Sequence, residues 1–166
     1  MSYSVVFSTR TGNTKLLAET VRKSLSQNDC IYFGYPGQEA LHADRLYVGF
    51  WTDRGCCDNG TAEFLRTVKN KELFLFGSAG YGGSEEYYQK ILRQTESLLD
   101  DSCRVVGTFM CQGKMPESVR KCYEEMTQGP NPIHNLMGML ENFDKASSHP
   151  DRADLEKLEQ DIQAVS

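Results

Sequence analysis

Short apolar runs alternate with amphipathic stretches over the first two thirds of this 166-residue chain. Strands are predicted at 3–8, 30–33, 45–50, 72–77 and 103–111. Each run is continuously apolar, which is the pattern of strands that are covered on both faces of a sheet. Helices are predicted at 13–27, 60–69, 84–99, 116–127 and 152–165. Strands that alternate with helices imply an α/β fold: a five-stranded parallel sheet with right-handed crossovers and helices on both faces.

Two connections differ from a simple alternation. Only Gly34 to Asp44 separates the second and third strands, so a helix there has one or two turns at most. After the fifth strand, residues 112–150 form a longer excursion with a helix, a break at Gly129–Pro132 and a second amphipathic stretch from Ile133 to Phe143. Its methionines and leucines lie at helical spacing, so we expect them to pack the excursion against the sheet rather than to form a docking surface.

Length and composition predict one domain over residues 1–166. The formal net charge of −5 argues against a nucleic-acid or anionic-membrane partner, since both favour clustered Lys and Arg. An acidic surface could instead steer a basic partner protein. No apolar run has the length of a membrane span, and Met1 leads into a strand without a signal-peptide pattern. We therefore expect a cytoplasmic monomer without membrane insertion.

The six cysteines agree with a reducing compartment. They form no Cys-x-x-Cys motif, and no histidine lies at zinc-ligand spacing from them, so no metal site is predicted. A redox role for the adjacent pair Cys56-Cys57 would need a strained bridge.

A hydroxyl-rich turn joins the first strand to the first helix. It consists of Ser8, Thr9, Arg10, Thr11, Gly12, Asn13 and Thr14. The free N–H groups and the dipole at a helix N-terminus attract an anion, and Gly12 allows the backbone to approach it closely. The spacings of nucleotide-hydrolysing P-loops and of dinucleotide-binding turns are both absent. The turn therefore suits a single terminal phosphate, with an ordinary helix-capping turn as the alternative.

The segment Thr9–Thr14 resembles the phosphate loop of the flavodoxin family, [ST]-x-T-G-x-T. Two later segments, 49–55 and 77–84, are similar to the two loops that enclose the flavin ring in that family, and each follows a predicted strand. The resemblance extends to about Gln112. It implies the strand order 2-1-3-4-5 and FMN as the cofactor.

The resemblance also implies which residues contact FMN. The phosphate would be held by the turn from Ser8 to Thr14, where Arg10 either neutralises the phosphate or points into solvent. The ring-binding candidates are Phe50, Trp51, Thr52, Asp53, Ser78, Ala79, Gly80, Tyr81, Gly82 and Gly83. Trp51 and Tyr81 would face the ring from opposite sides, with Tyr87 as a substitute for Tyr81.

Thr52 and Asp53 follow Trp51, at the place where family members usually carry a glycine whose peptide flips on reduction. A conventional flip is therefore not expected here. A carboxylate at Asp53 beside the ring would disfavour an anionic, fully reduced flavin and lower the potential of that step.

The resemblance implies an electron carrier between a donor and an acceptor reductase, without catalytic residues of its own. The alternative is a small FMN-dependent NAD(P)H:quinone-type reductase, for which residues 112–150 would supply a wall of the substrate site. A phospho-acceptor receiver would need aspartates where Ser8-Thr9 and Trp51-Thr52 stand, so it is disfavoured. The segments 49–51 and 148–151 are similar to a flavodoxin-like subgroup that accompanies bilirubin reductases, which implies such a reductase as acceptor.

Overall fold

Strands and helices alternate along the chain as the apolar runs predict. The computed structural model describes residues 1–82, 84–126, 128 and 135–166. Within them lie β1 Tyr3–Phe7, α1 Asn13–Ser24, β2 Cys30–Gly34, β3 Arg45–Asp53, β4 Cys56–Cys57, α2 Asn59–Thr67, β5 Glu72–Ala79, α3 Glu85–Glu96, β6 Arg104–Gln112, α4 Glu117–Met126, α5 Leu136–Ala146 and α6 Arg152–Gln163. The connection between β2 and β3 holds one short 3₁₀ helix, Gln38–His42, in agreement with the predicted limit of two turns.

Five of the strands form a parallel sheet in the order β2-β1-β3-β5-β6, which is the predicted spatial order of the five apolar runs. The correction is β4, which the sequence did not predict. It pairs antiparallel with the end of β3, where Thr52 lies opposite Cys57 and Asp53 opposite Cys56. Arg54 and Gly55 link the two strands with φ of 51° and 81°. Positive φ at both central residues is typical of a tight type I′ hairpin, which matches the twist of its strands.

The two faces of the sheet carry separate apolar layers. Leu46, Val48 and Phe50 of β3 pack on one face with residues of α2 and α3. Tyr47 packs on the other face with residues of α1 and α6. This alternation along β3 follows from the two-residue period of a strand. The helices on both faces leave the carboxyl ends of the strands free to form a site.

The excursion after β6 has an apolar cluster of its own. Tyr123, Leu136 and Phe143 are buried in it, and the residues packed against them are Met115, Val119, Met126, Met139 and Leu140. All of these residues belong to α4, α5 or the segment before α4, so the expectation that the excursion packs against the sheet is wrong for this cluster. The two amphipathic helices bury their apolar faces against each other instead. The predicted break at Gly129–Pro132 lies outside the described residues.

Among the helices of the described ranges, none combines the length and the hydrophobicity that a bilayer span requires.

Candidate functional site

A cavity of about 340 Å³ lies at the carboxyl ends of the central strands. In open α/β sheets this is the edge where ligands bind. Four segments line it: the turn from β1 into α1, the end of β3 with the loop after it, the end of β5 with the loop after it, and residues 113–116. One residue each of α3 and α4 completes the lining. The lining residues are Arg10, Thr11, Asn13, Trp51, Thr52, Asp53, Arg54, Gly55, Ser78, Ala79, Gly80, Tyr81, Tyr87, Gly113, Lys114, Met115, Pro116 and Val119.

The turn after β1 leaves the N-terminus of α1 without a side-chain cap. Gly12 has φ of 89° and ψ of −5° there, and its N–H group donates to Thr9 Oγ1 at 3.1 Å. Thr14 is fully buried, and its hydroxyl has no hydrogen-bond partner within the described residues. Burial without a partner costs about 1–3 kcal/mol, which a bound acceptor would remove. These features favour an anion site over the alternative of a capping turn.

A fourth loop, residues 113–116, supports the turn after β1. The carbonyl of Lys114 accepts from Thr11 Oγ1 at 3.2 Å and from Asn13 Nδ2 at 2.9 Å. The backbone N–H group of Lys114 donates to the carbonyl of His149 at 3.0 Å. A Cβ at Gly113 would lie 2.5 Å from Asn13 Nδ2, so this close approach requires glycine. The sequence pattern does not predict this loop as part of the site, although Gly113, which follows the predicted strand 103–111, is a usable signal.

The segment before α6, residues 149–151, contacts the loop at 113–116 through the hydrogen bond from Lys114 to His149. Asp151 and Asp154 form a capping box at the start of α6. The Nδ1 atom of His149 lies 2.6 Å from Asp154 Oδ2. The backbone N–H group of Asp154 donates to Asp151 Oδ1 at 2.9 Å, and this hydrogen bond, with the nearby His149 ring, lowers the pKa of the Asp151 carboxyl. The segment thus reaches the turn after β1 through Lys114.

Trp51 presents the aromatic surface of the cavity. It is half-buried, and the guanidinium carbon of Arg10 lies 5.5 Å from the centre of its ring. Thr52 Oγ1 donates to the carbonyl of Ser78 at 2.8 Å and so ties the carboxyl ends of β3 and β5 together. Asp53 is exposed at the rim.

The loop after β5 is held by the excursion. The carbonyl of Gly80 accepts from Gln112 Nε2 at 3.0 Å and from Asn142 Nδ2 at 3.1 Å, and Gln112 Nε2 also donates to Asn142 Oδ1 at 3.1 Å. The hydroxyls of Tyr81 and Tyr123 lie 3.2 Å apart. Burial, followed by this contact, raises the pKa of Tyr123 to about 12. Helices α4 and α5 thus orient a loop whose glycines leave it few side-chain anchors.

The structure brings most of the predicted site residues to the cavity. Those that line it are Arg10, Thr11, Asn13, Trp51, Thr52, Asp53, Ser78, Ala79, Gly80 and Tyr81, with Tyr87. Thr9, Gly12 and Thr14 belong to the same turn but are not part of the lining.

Three further predicted residues, all within the described ranges, lie outside the lining of the cavity. Phe50 is 0 % exposed in the core, because the strand alternation turns it to the opposite face from Trp51. Ser8 lines a separate depression beside Tyr35, and its N–H group donates to the carbonyl of Gly49. Gly82 lies against Gln112, outside the lining, and Gly83 lies outside the described residues.

A model of the flavodoxin domain matches residues 4–163. The chain belongs to the flavodoxin family. It is 34% identical over 172 residues to the flavodoxin-like domain-containing protein BilS of Clostridium symbiosum strain WAL-14163, covering 93% of this chain and 90% of that protein. The family implies a flavin cofactor and a role in electron transfer.

Two solved structures show the same fold. The flavodoxin of Streptococcus pneumoniae TIGR4 has a TM-score of 0.62 at 15% identity, covering 99% of this chain and 97% of that one. A flavoprotein from Lactobacillus acidophilus NCFM, solved in complex with FMN, has a TM-score of 0.52 at 11% identity, covering 72% of this chain and 97% of that one.

The residues of this flavodoxin-family chain fit such a cofactor. The uncapped helix and the unpartnered hydroxyl of Thr14 suit an anionic group, while Trp51 and Tyr81 suit a flat aromatic ring.

Proposed function

We propose that the protein binds FMN non-covalently in the cavity and carries electrons between redox partner proteins, as a single-domain monomer over residues 1–166. The observation that carries this proposal is the buried hydroxyl of Thr14, which has no partner among the described residues and lies at an uncapped helix N-terminus. A dianionic phosphate supplies the acceptor that this hydroxyl and the first N–H groups of α1 lack.

Different residues bind the two parts of FMN, the phosphate and the flavin ring. The turn from Thr9 to Thr14 holds the phosphate, while Trp51 and Tyr81 hold the ring and exclude water from it. The bound FMN supplies the redox chemistry, and the protein supplies orientation and electrostatics. No catalytic residue is proposed, because passing electrons to a partner requires neither an acid, a base nor a nucleophile.

We also propose a bilirubin reductase as the electron acceptor, on the resemblance of segments 49–51 and 148–151 to the flavodoxin-like subgroup that accompanies such enzymes. The FMN-loaded protein would be reduced without oxygen and mixed with a bilirubin reductase and bilirubin, and the absorbance of bilirubin followed. We expect a rate well above that with reduced free FMN. Equal rates in the two mixtures would remove this acceptor from the proposal.

The NAD(P)H:quinone-type reductase remains a second candidate. Met115, Pro116 and Val119 line the cavity, so the excursion does contribute a wall to it. Steady-state oxidation of NADPH by the FMN-loaded protein, with a quinone and no other protein, distinguishes the two functions. An electron carrier shows only the rate of free FMN, whereas a reductase shows saturable turnover.

We propose a cytoplasmic location for the protein. All six cysteines are free thiols, which supports a reducing compartment and the cytoplasmic location expected from the sequence.

Asn142→Ala will weaken FMN binding by about 3- to 10-fold, because it removes one of the two amide donors that fix the carbonyl of Gly80. Titration of flavin fluorescence measures the effect. The matched control is Asn59→Ala, since the amide of Asn59 contacts Glu63 on the exposed face of α2. Equal affinities of both variants and the wild type would show that α5 does not position the loop after β5.

Asp53→Asn will raise the potential at which the bound flavin takes up its second electron, on the order of tens of millivolts, because it removes a negative charge from the rim of the cavity. Spectra recorded at controlled potential measure it. Asp101→Asn, in the turn before β6, removes the same charge at the opposite end of the sheet and should leave the potential unchanged. An unchanged potential in Asp53→Asn would refute the electrostatic role of this residue.

A further inference from the structure

Arg10 joins the phosphate-binding turn to the ring-binding surface. Its guanidinium carbon lies 5.5 Å from the centre of the Trp51 ring, and both side chains line the same cavity. Arg10 is exposed, and it forms no ion pair with the part of the chain that the structure describes. The sequence offers a bound phosphate or solvent as the surroundings of this side chain, and the structure adds the Trp51 ring as a third.

The face of Trp51 has two competing occupants. A guanidinium is attracted to the negative face of an indole ring, and a flavin ring stacks on the same kind of face. A flavin that stacks on Trp51 in this cavity must therefore displace Arg10. A phosphate held by the turn from Thr9 to Thr14 would lie beside the displaced side chain, because Arg10 is part of that turn.

We propose that Arg10 makes the site selective for a phosphorylated flavin: it covers Trp51 when no phosphate is bound and moves to the phosphate when one is. This inference rests on the proposed function and adds to it the cause of discrimination between FMN and riboflavin. FMN replaces the lost cation–π contact with a charge-assisted hydrogen bond, which is the stronger of the two. Riboflavin displaces Arg10 and offers only neutral hydroxyl groups, which form weaker hydrogen bonds with a guanidinium than a phosphate does.

The local charge supports this assignment. Three basic residues, Arg10, Arg54 and Lys114, line the cavity against one acidic residue, Asp53, although the whole chain has a net charge of −5. A cleft lined by one sign of charge attracts the opposite ion. Of the three basic side chains, Arg10 is the one seated on Trp51.

Arg10→Gln will change the two affinities in opposite directions. The Kd for FMN will rise by about 5- to 50-fold, because the charge-assisted contact is lost. The Kd for riboflavin will fall by about 2- to 5-fold, because the face of Trp51 becomes free. A residue that only maintains the shape of the loop would weaken both flavins together. Arg10→Lys keeps the charge and will retain most of the FMN affinity.

Lys15→Gln is the matched control. It removes one positive charge from the exposed face of α1, next to the turn from Thr9 to Thr14 but outside the lining of the cavity. We expect its preference for FMN over riboflavin to stay within about 3-fold of the wild type. A preference that falls as far as in Arg10→Gln would mean that general charge, not Arg10, selects FMN, and would overturn the inference.

Trp51 is the single tryptophan of the chain and reports on Arg10 directly. In the flavin-free protein, acrylamide will quench Trp51 fluorescence more strongly in Arg10→Gln than in the wild type. If wild-type protein bound neither flavin, the proposed function would fail, and this quenching comparison alone would decide whether Arg10 covers Trp51. Unchanged quenching, or a parallel loss of both flavin affinities in Arg10→Gln, contradicts the inference.

Discussion

Thr14→Val will lower the affinity for FMN by about 10-fold or more and leave the flavin-free protein at least as stable as the wild type. The two effects have one cause. The hydroxyl of Thr14 is buried without a partner among the described residues, so its removal relieves a desolvation cost of about 1 kcal/mol or more in the free protein. The same removal takes one donor away from the phosphate. Titration with FMN and urea unfolding of the flavin-free protein measure the two effects separately.

Thr20→Val supplies the control on the same helix. Thr20 is also buried, but its hydroxyl donates to the carbonyl of Leu16 at 2.9 Å. We expect this variant to lose up to about 1 kcal/mol of stability and to keep its FMN affinity. If Thr14→Val lost stability and kept its affinity, the hydroxyl of Thr14 would have a structural role and the phosphate site would lie elsewhere.

Gly77→Ala will destabilise the flavin-free protein by about 2–3 kcal/mol, which is the largest effect on stability that we expect. A Cβ at this position in β5 would lie 2.5 Å from two ring atoms of Phe50 and 2.9 Å from Met110 Sδ. Phe50 is paired with Gly77 in the register of β3 and β5 and is fully buried, so it has little room to move. Urea unfolding without flavin measures the change free of any contribution from binding.

Two further variants test the cause of that loss. Gly60→Ala adds a methyl group within α2, where the nearest atom to the new Cβ is 3.5 Å away, and will stabilise the protein by about 0.5 kcal/mol. Phe50→Leu combined with Gly77→Ala will cost less than the sum of the two single changes, by about 1 kcal/mol. Strict additivity would show that Phe50 is not the residue that Gly77 accommodates.

The sheet was predictable because its signal is local. A continuous apolar run such as Leu73–Phe76 indicates a strand covered on both faces, and Leu17 with Val21 lies on the buried side of an amphipathic helix. The hairpin at Arg54-Gly55 is not predictable in the same way. Arginine seldom takes a positive φ, so its side chain at the first turn position does not indicate a type I′ turn.

The candidate site was predictable in part. The segments that follow β1, β3 and β5 carry residues typical of a flavin site, such as Gly12 and Trp51. The loop at 113–116 and the link from Asn142 to Gly80 depend on contacts between residues distant in sequence, which no local pattern encodes. The contact of Arg10 with Trp51 is likewise not predictable from a local pattern, since it depends on the pairing of β1 with β3. The placement of Phe50 followed from strand alternation and could have been predicted correctly.

Titration of the purified, flavin-free protein with FMN tests the central claim most directly. The visible spectrum gives the stoichiometry, and the quenching of flavin fluorescence gives the affinity. We predict saturation at one FMN per chain with a Kd below about 1 µM, because the cavity combines an anion site with an aromatic surface. A flavin spectrum and fluorescence that stay those of free FMN at millimolar concentration would contradict the account.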